Sequence, residues 1–399
     1  MRILFTAAPG YGLMLPIVPL IWAARAAGHE VLVATTGEMT DVGARAGLPV
    51  VDVYPERDIW ELLLRHVGKS EPDEDAPELT EEHRLAMRSA NPFGLFTVTM
   101  TEGSIEAGRA FGPDLVVFTS DHVAGRLTAQ ALGVPALEVG NRISWSMRDA
   151  DWREERGNLV DDEVTTLIRE KLGIPAELPR VVARIDPRAP SMRGLVADET
   201  DPRDGVPWWP MRFVPFNGGA VLPEWALHRP ERPRVCVTLG TVVPIMNGTS
   251  NLSVVIEALG GMDVEVVLAA GKADLSELGA LPDNVHSVGF LPLSGFLPTC
   301  SLIVHHGGSG TTAAPLHYGV PQLVLPAFAD NPMSAERVVE RGVGLSHDPT
   351  TVDVDTVREL AGRLLTEPAF AAAAEEVSAE MAAQPAPTAV IERVTAALS

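Results

Sequence analysis

A run of small and polar residues late in the chain has the composition of an anion-binding loop. Apolar residues ending at His305 predict a buried strand, and a glycine-rich stretch then leads into a helix. Such a loop lets backbone amides and the helix dipole approach a diphosphate closely, and a histidine can add a charge-assisted hydrogen bond. The simpler alternative is a plain strand-to-helix turn, since glycine turns are common. The predicted ligands are His305, Gly308, Ser309, Gly310, Thr311 and Thr312.

The same stretch also matches a different binding motif. Residues 308–313 (GSGTTA) fit the G-x-G-x-x-A variant of the dinucleotide fingerprint, and Asp330 lies about 20 residues further on, which would indicate a nicotinamide enzyme. However, that fingerprint follows the first strand of its fold, whereas several predicted strands of this half of the chain precede residue 308. Asp330 also lies beyond Pro326 instead of directly ending a strand. A diphosphate site is therefore the better interpretation.

Alternating strands and helices must position this loop. The first half begins strand–helix–strand with a glycine at each helix end, which is typical of a parallel sheet with right-handed crossovers. Irregular stretches at 54–100 and 141–200 are predicted to carry substrate loops. The proline-rich segment 203–233 is predicted to be neither helix nor central strand and to contain a linker. The predicted strands are 2–7, 31–35, 50–53, 115–119, 136–139, 234–239, 264–269, 286–288, 302–305 and 322–325.

The balance of charge excludes several classes of partner. The 399 residues include 31 basic and 53 acidic ones, which gives a formal net charge of -22. A surface this acidic repels nucleic acid and anionic membranes. No apolar run reaches the roughly 18 residues that a membrane span needs, and no signal-peptide pattern opens the sequence, so we expect a cytoplasmic protein. The two cysteines, Cys236 and Cys300, lie in apolar runs and are expected to be reduced core thiols.

Short motifs over nearly the whole chain carry a family resemblance. They are MRILF at 1–5, AAGHEV at 26–31, RFVPFNG at 212–218, PRVCVTLGT at 233–241, GFLPL at 289–293, LPTC at 297–300, HHGGSGTT at 305–312 and GVPQ at 319–322. With them the sequence resembles the inverting GT-B glycosyltransferases of bacterial natural-product pathways. That group attaches deoxysugars to macrolides, anthracyclines, enediynes and aromatic polyketides. The motifs are specific for the family and weak for the substrate.

The resemblance implies a fold and a division of tasks between domains. The fold would be α/β of the GT-B type, with two facing Rossmann-like domains, parallel sheets and a cleft between them. Residues 1–215 would bind a hydrophobic aglycone, and residues 216–233 would form the linker. Residues 234–384 would bind the nucleotide sugar, and residues 385–399 would form a helix that returns to the N-terminal domain.

The resemblance also implies a donor and its contacts. The donor would be a nucleoside-diphosphate sugar, usually dTDP-linked, and the reaction would need neither metal nor cofactor. Thr241 would approach the phosphates, and the Phe290 ring would stack on the base. Asp330 and Asn331 stand where relatives often have Asp-Gln, which contacts sugar hydroxyls. The shorter Asn side chain makes Asp330 the better candidate for that contact.

The acceptor base is where the sequence departs from the family. Many relatives carry a histidine at the position of Leu13, and leucine cannot accept a proton. Asp121 and His122 follow the predicted strand 115–119, at a sheet edge where a base is expected, although Asp121 can instead cap the helix that begins near Val123. A phenol or carbon acceptor needs little assistance, so the missing histidine favours an aromatic polyketide and leaves C-glycosylation open. The predicted acceptor region comprises Tyr11, Leu13 and Trp145.

Three acidic triplets could suggest a metal site. D-x-D patterns, which hold a metal in other glycosyltransferases, begin at Asp73, Asp149 and Asp353. With 53 acidic residues chance triplets are expected, and none directly follows a predicted strand. We therefore predict surface carboxylates and no metal site.

Two functional alternatives and the oligomeric state stay open on sequence alone. One alternative is another GT-B enzyme, such as a sugar-nucleotide epimerase, which would need no large acceptor pocket. The other is a catalytically silent helper that binds a nucleotide sugar, which Leu13 makes conceivable. The residues also leave open a homodimer or an auxiliary protein partner.

Overall fold

The computed structural model is an α/β protein built on two sheets whose strands are almost all parallel. It describes residues 1–66, 79–88, 91–156, 158–238, 240, 250–271 and 275–399. The predicted fold class is confirmed. Each sheet belongs to one half of the chain, so the architecture follows the two-domain pattern that alternating strands and helices indicate.

In the described part of the chain, the first sheet has eight strands. They are β1 (Arg2–Thr6), β2 (Glu30–Thr35), β3 (Val50–Asp52), β4 (Leu115–Thr119), β5 (Ala136–Val139), β6 (Val181–Asp186), β7 (Glu199–Thr200) and β8 (Pro207–Pro210). Their spatial order is β3-β2-β1-β4-β5-β6-β8-β7, and only the edge pair β7–β8 is antiparallel. All five residues of β4 are buried, as expected for a central parallel strand.

Among the described residues, the second sheet has six strands, and each neighbouring pair is parallel. They are β9 (Arg234–Thr238), β10 (Glu265–Leu268), β11 (Val285–Ser287), β12 (Leu302–His305), β13 (Gln322–Val324) and β14 (Gly344–Ser346). Their order is β11-β10-β9-β12-β13-β14. His305, the last residue of β12, lies opposite Thr238, the last residue of β9. The chain therefore leaves β9 and β12 at the same edge of this sheet.

Helices connect the strands and supply the cores. In the first half they are Tyr11–Met14, Val18–Ala26, Glu38–Arg45, Ile59–His66, Glu81–Ala86, Phe93–Phe111, Val123–Leu132, Ala150–Arg156 and Asp162–Leu172. In the second half they are Ser250–Gly260, Ser309–Tyr318, Asn331–Arg341, Val354–Thr366, Pro368–Ala383 and Pro387–Leu398. Among the described segments, none of these helices has the length and apolar character needed to cross a bilayer.

Alternate residues of β1 enter two different cores because strand side chains alternate between faces. Ile3 and Phe5 pack in a cluster that contains the last helix of the chain, whereas Leu4 packs with Phe96 and its neighbours. The last helix, Pro387–Leu398, thus lies on the N-terminal domain. It buries its apolar face there through Val390, Ile391 and Val394.

Two sequence predictions about the end of the first half are wrong. The stretch 141–200 contains β6, and the proline-rich segment 203–233 contains β8, which pairs with β6. The prolines stand at the two ends of β8, so the strand interior consists of Trp208 and Trp209, which keep their N–H donors. The number of prolines in the segment therefore does not exclude a strand, because the prolines lie outside its interior. The short strand β14 was also missed.

Candidate functional site

The turn from β12 into the helix Ser309–Tyr318 is shaped as an anion site would require. Gly307 has φ of +89°, a conformation that glycine adopts without strain. Gly308 is the N-cap and offers no side-chain acceptor, so the amides of the first turn lack an intrahelical partner. A Cβ added at Gly310 would meet open space within 4 Å. The approach to the helix N-terminus is therefore clear.

The structure places His305 beneath this loop, in the interior. Its Nδ1 accepts the Gly307 N–H at 3.1 Å, so the proton lies on Nε2, which is 2.8 Å from Gln322 Oε1. The Gln322 amide in turn donates to the Thr312 carbonyl at 3.2 Å. Burial, together with the neighbouring His306, lowers the pKa of His305 to about 3. In this arrangement the neutral ring holds the loop, and a charge-assisted bond from His305 to a diphosphate stays a prediction.

His306 packs between Gly240 and Gly308 at this sheet edge. A Cβ at Gly240 would lie 2.4 Å from His306 Cε1, and one at Gly308 would lie 2.5 Å from Nε2. Both positions must therefore be glycine for the imidazole to fit. Thr241, the next predicted phosphate contact, lies outside the described residues.

The predicted hydroxyl donors differ in their hydrogen-bond partners and in their burial. The Thr312 hydroxyl donates to the Gly308 carbonyl at 3.0 Å and is fully buried. The Ser309 hydroxyl donates to Asp330 Oδ2 at 3.3 Å. Thr311 is only half-buried on the first turn. Since Ser309 is also buried, Thr311 is better placed than Ser309 or Thr312 to turn toward a bound diphosphate.

Asp330 and Asn331 lie at the start of the helix Asn331–Arg341, beside the anion loop. Asp330 is the N-cap, and its carboxylate lies within hydrogen-bond distance of Ser309 on the facing helix. Asn331 is buried, and a Cβ at Gly307 would lie 2.9 Å from its carbonyl oxygen. The structure therefore brings Asp330 to the site and uses Asn331 for packing under the loop.

Phe290 and Tyr11 form an aromatic pair across the two domains. Phe290 is 48% exposed, and its ring centroid lies 6.2 Å from that of Tyr11. The Tyr11 hydroxyl donates to Glu38 at 2.9 Å, and burial followed by this bond raises its pKa to about 12. We assigned Tyr11 to the acceptor region from sequence, but the structure places it against the residue predicted to stack on the donor base.

Asp121 is buried at the end of β4 and accepts hydrogen bonds from several donors. Thr119 Oγ1 donates at 2.8 Å, Asn141 Nδ2 at 2.9 Å and Arg142 Nη2 at 3.0 Å. The helix cap considered from sequence is absent here, because the N-cap residue of Val123–Leu132 is His122 and its side chain makes no cap bond. The Asp121 carboxylate is therefore engaged as an anchor.

His122 is buried beside Asp121 and is neutral. Burial lowers its pKa to about 4 despite the nearby carboxylate. Neither ring nitrogen has a hydrogen-bond partner among the described residues. An imidazole in this state keeps one free lone pair for a proton, although its low pKa makes it a weak base.

The remaining acceptor-region residues are packed inside the N-terminal domain. Leu13 is 8% exposed and joins the core that contains Phe96. Trp145 is buried and stacks on Trp152 with 4.5 Å between centroids and a 6° interplanar angle. In the described structure both residues act through packing.

The sequence analysis missed the segment that follows β5. Asn141 and Arg142 donate to Asp121 within the N-terminal domain, and Arg142 and Ser144 donate to Asp330 in the other domain. A signal was present, because β4 and β5 are neighbours and residues after parallel neighbours meet at one sheet edge.

The acidic triplets have separate structural roles. The triplet that begins at Asp73 lies outside the described residues. Asp353 caps the helix Val354–Thr366 by accepting the Thr356 N–H. Asp149 differs from the expectation of a surface carboxylate, since its side chain is only 11% exposed and pairs with the buried Arg188.

Comparison with known proteins supplies the family. The model for the N-terminal domain of proteins like erythromycin biosynthesis protein CIII matches residues 22–240, and the model for their C-terminal domain matches residues 253–397. The elloramycin glycosyltransferase ElmGT of Streptomyces olivaceus is 39% identical over 402 residues, which cover 99% of this chain and 97% of that protein.

Solved structures agree over the full length. The glycosyltransferase SnogD of Streptomyces nogalater superposes with a TM-score of 0.80 and 32% identity, covering 100% of this chain and 99% of its own. SsfS6 of Streptomyces sp. SF2575, in complex with thymidine diphosphate, gives 0.76 and 30%, with 99% of each chain covered. The chain therefore belongs to the EryCIII-like family of antibiotic-biosynthesis glycosyltransferases, and its two domains have the GT-B fold.

Proposed function

We propose that this glycosyltransferase moves a deoxysugar from a dTDP-linked donor to an aromatic polyketide-type aglycone, with inversion at the anomeric carbon. The observation that carries the proposal is the open helix N-terminus at Ser309–Tyr318, which a neutral His305 supports from below. During transfer, negative charge builds up on the leaving diphosphate. Fixed amides at a helix N-terminus then stabilise the transition state more than the ground state.

Asp330 is the residue that we propose to receive the sugar. A sugar linked to the outer phosphate must lie within a few ångströms of the amides that hold the diphosphate. The Asp330 carboxylate lies 3.3 Å from the hydroxyl of Ser309, the first residue of that helix. Carboxylate oxygens accept hydrogen bonds from sugar hydroxyls, and one near the anomeric centre also favours developing positive charge.

The donor base would lie against Phe290, whose half-exposed ring offers an aromatic face. A thymidine-linked donor is supported by SsfS6, which was crystallised with thymidine diphosphate. Since the helix N-terminus supplies the neutralising groups, we propose a reaction that needs neither metal nor cofactor.

The acceptor is the part of the proposal that rests on the N-terminal domain. Leu13 offers no base, and the Asp121 carboxylate already accepts three side-chain donors. A nucleophile that ionises readily suits such a site, because a phenol has a pKa of about 10 and attacks with modest help. An antibiotic aglycone is supported by ElmGT, which is named an elloramycin glycosyltransferase.

The test of this function is a panel assay. The full-length protein is incubated with several dTDP-deoxysugars and with macrolide, anthracycline and other aromatic aglycones, and products are identified by mass spectrometry. We expect transfer to a phenolic or aromatic acceptor, with the inverted anomeric configuration by proton coupling. Retained configuration, or nucleotide bound at the N-terminal sheet in a soaked crystal, would overturn the proposal. Family membership already makes the epimerase and helper alternatives the weaker ones.

An Asp121→Asn variant should retain most of its activity toward a phenolic acceptor. Asn can still accept from Arg142, so the anchor survives, and ionisation of the phenol sets the pH dependence. We expect kcat to fall less than about tenfold, whereas removal of a true general base costs about 10²–10⁴-fold. The measurement is kcat between pH 6 and 9 for both proteins, with His122→Asn tested alongside. Loss of the rising limb in either variant would identify that residue as the base.

A further inference from the structure

The most extensive polar contact between the two domains is a cluster that we name the interdomain clasp: Asp121, Arg142 and Ser144 from the N-terminal domain, with Ser309 and Asp330 from the C-terminal domain. Arg142 donates through Nη2 to Asp121 at 3.0 Å and through Nη1 to Asp330 at 3.3 Å. The Ser144 hydroxyl donates to Asp330 Oδ2 at 2.6 Å. One short segment after β5 thus holds carboxylates in both domains.

The clasp is buried and electrostatically strong. The Arg142 and Asp330 side chains are each 14% exposed, and the Asp121 side chain is 0% exposed. Burial alone lowers the pKa of Arg142, but Asp330 and Asp121 outweigh it and the pKa is raised, so the guanidinium stays charged. A planar guanidinium can serve two carboxylates at once, which a lysine cannot do in the same geometry.

The acceptor sites on Asp330 leave room for a ligand. An ionised carboxylate has about four lone-pair sites. Oδ2 accepts Ser144 and Ser309, while the Arg142 Nη1 lies between the two oxygens, 3.3 Å from Oδ1 and 3.4 Å from Oδ2. Oδ1 therefore has an open site now. If the Ser309 hydroxyl turns to a phosphate, a second site opens on Oδ2 without loss of Arg142 or Ser144.

We propose that Arg142 and Ser144 are positioning residues that hold Asp330 in the orientation that receives two hydroxyls of the donor sugar. The N-terminal domain then completes the sugar site, and cleft closure and donor recognition become one event. This inference rests on the proposed function, since it takes the ligand of Asp330 to be the sugar of a nucleotide-linked donor.

The proposal predicts different effects on the affinity for the sugar-linked donor and on the affinity for the free nucleotide. Thymidine diphosphate carries no sugar on its outer phosphate, and its only sugar hydroxyl is that of its deoxyribose, so it gains nothing from an oriented Asp330. The sugar-linked donor gains the full set of contacts. A variant that releases Asp330 should therefore weaken the donor and leave the free nucleotide unaffected, which a general loss of structure would not do.

The test uses the full-length protein and isothermal titration without acceptor. Ser144→Ala removes the hydroxyl that donates to Asp330 and that lies 3.2 Å from Ser309 Oγ, while Ser309 keeps its contacts with Asp330 and with the Ile143 N–H. We expect Kd for the dTDP-sugar that wild type transfers to rise about tenfold, while Kd for dTDP changes less than about twofold. Arg142→Gln alone would leave Asp121 buried and unpaired, which endangers folding. The double variant Asp121→Asn with Arg142→Gln removes both charges and should show the same selective loss.

Ser146→Ala is the matched control, because its hydroxyl accepts the Arg148 N–H on the same segment and does not contact Asp330. It should bind both ligands as wild type does. Unchanged or tighter donor binding by Ser144→Ala would overturn the clasp as a positioning device, and so would equal weakening of both ligands. If wild type binds no dTDP, the proposed function fails with it; if wild type binds and Ser144→Ala is normal, only the clasp fails.

Discussion

His305→Ala is expected to lose about 100-fold or more in kcat/KM for the donor while the chain stays folded. His305 joins the anion loop to the sheet through Gly307 on one ring nitrogen and Gln322 on the other. Without the ring, the loop amides can drift from the diphosphate. A displacement of about 1 Å at such a site can cost about 10²-fold in rate. The strand itself keeps its apolar neighbours, so secondary structure by circular dichroism should be unchanged.

Gln322→Met distinguishes support from direct contact. It cuts the same chain of hydrogen bonds but leaves the imidazole in place, so a supporting His305 predicts a loss in the same direction. His286→Ala on the exposed edge strand β11 is the neutral control. If Gln322→Met transfers normally while His305→Ala is inactive, His305 contacts the phosphate itself. If His305→Ala transfers near the wild-type rate, the diphosphate assignment is wrong.

The donor side could be predicted because its chemistry is local. A buried strand, a run of glycines and a helix start within a dozen residues, and each feature follows from residue type alone. The structure has that strand end at His305 and that helix begin at Ser309. What sequence could not give is the direction of the His305 ring, since that depends on Gln322, which lies 17 positions away on a neighbouring strand.

The interdomain contacts could not be predicted because they join distant residues. Arg142 and Asp330 are 188 positions apart, and nothing in either local sequence marks the partner. The same holds for Tyr11, whose ring meets Phe290 across the cleft although its sequence context suggested the acceptor. Residue type and spacing predict which residues meet at the edge of one sheet. They do not predict which residues of the other domain lie opposite that edge.

The prediction that the stretch 141–200 is irregular was wrong for a related reason. Its arginines and aspartates look like a solvated surface in sequence. In the fold, Arg188 is fully buried, and its partners Asp186 and Asp149 are nearly so. Ion pairs between positions far apart in sequence allow charged residues to be buried. Hydrophobic periodicity, which counts only apolar residues as interior, cannot predict this burial.

Arg188→Met should therefore lower the free energy of unfolding strongly. Its guanidinium donates to Asp149 at 2.7 Å and 3.0 Å and to Asp186 at 2.8 Å. Without Arg188, the buried Asp149 loses this ion pair and Asp186 keeps only the longer contact with Arg148 Nε at 3.5 Å, so we expect a loss of about 3–5 kcal/mol. Urea unfolding followed by tryptophan fluorescence measures it, and the midpoint should fall by about 1–2 M.

Two further variants give that result its meaning. Arg358→Met breaks an exposed pair with Asp355, whose side chains are 43% and 95% exposed, and should cost about 0–1 kcal/mol. Adding Asp149→Asn and Asp186→Asn to Arg188→Met removes the charges together and should recover much of the loss, because the penalty comes from the unpaired carboxylates. If Arg188→Met unfolds at the same urea concentration as Arg358→Met, water must reach the carboxylates, and the buried network does not stabilise the fold as argued.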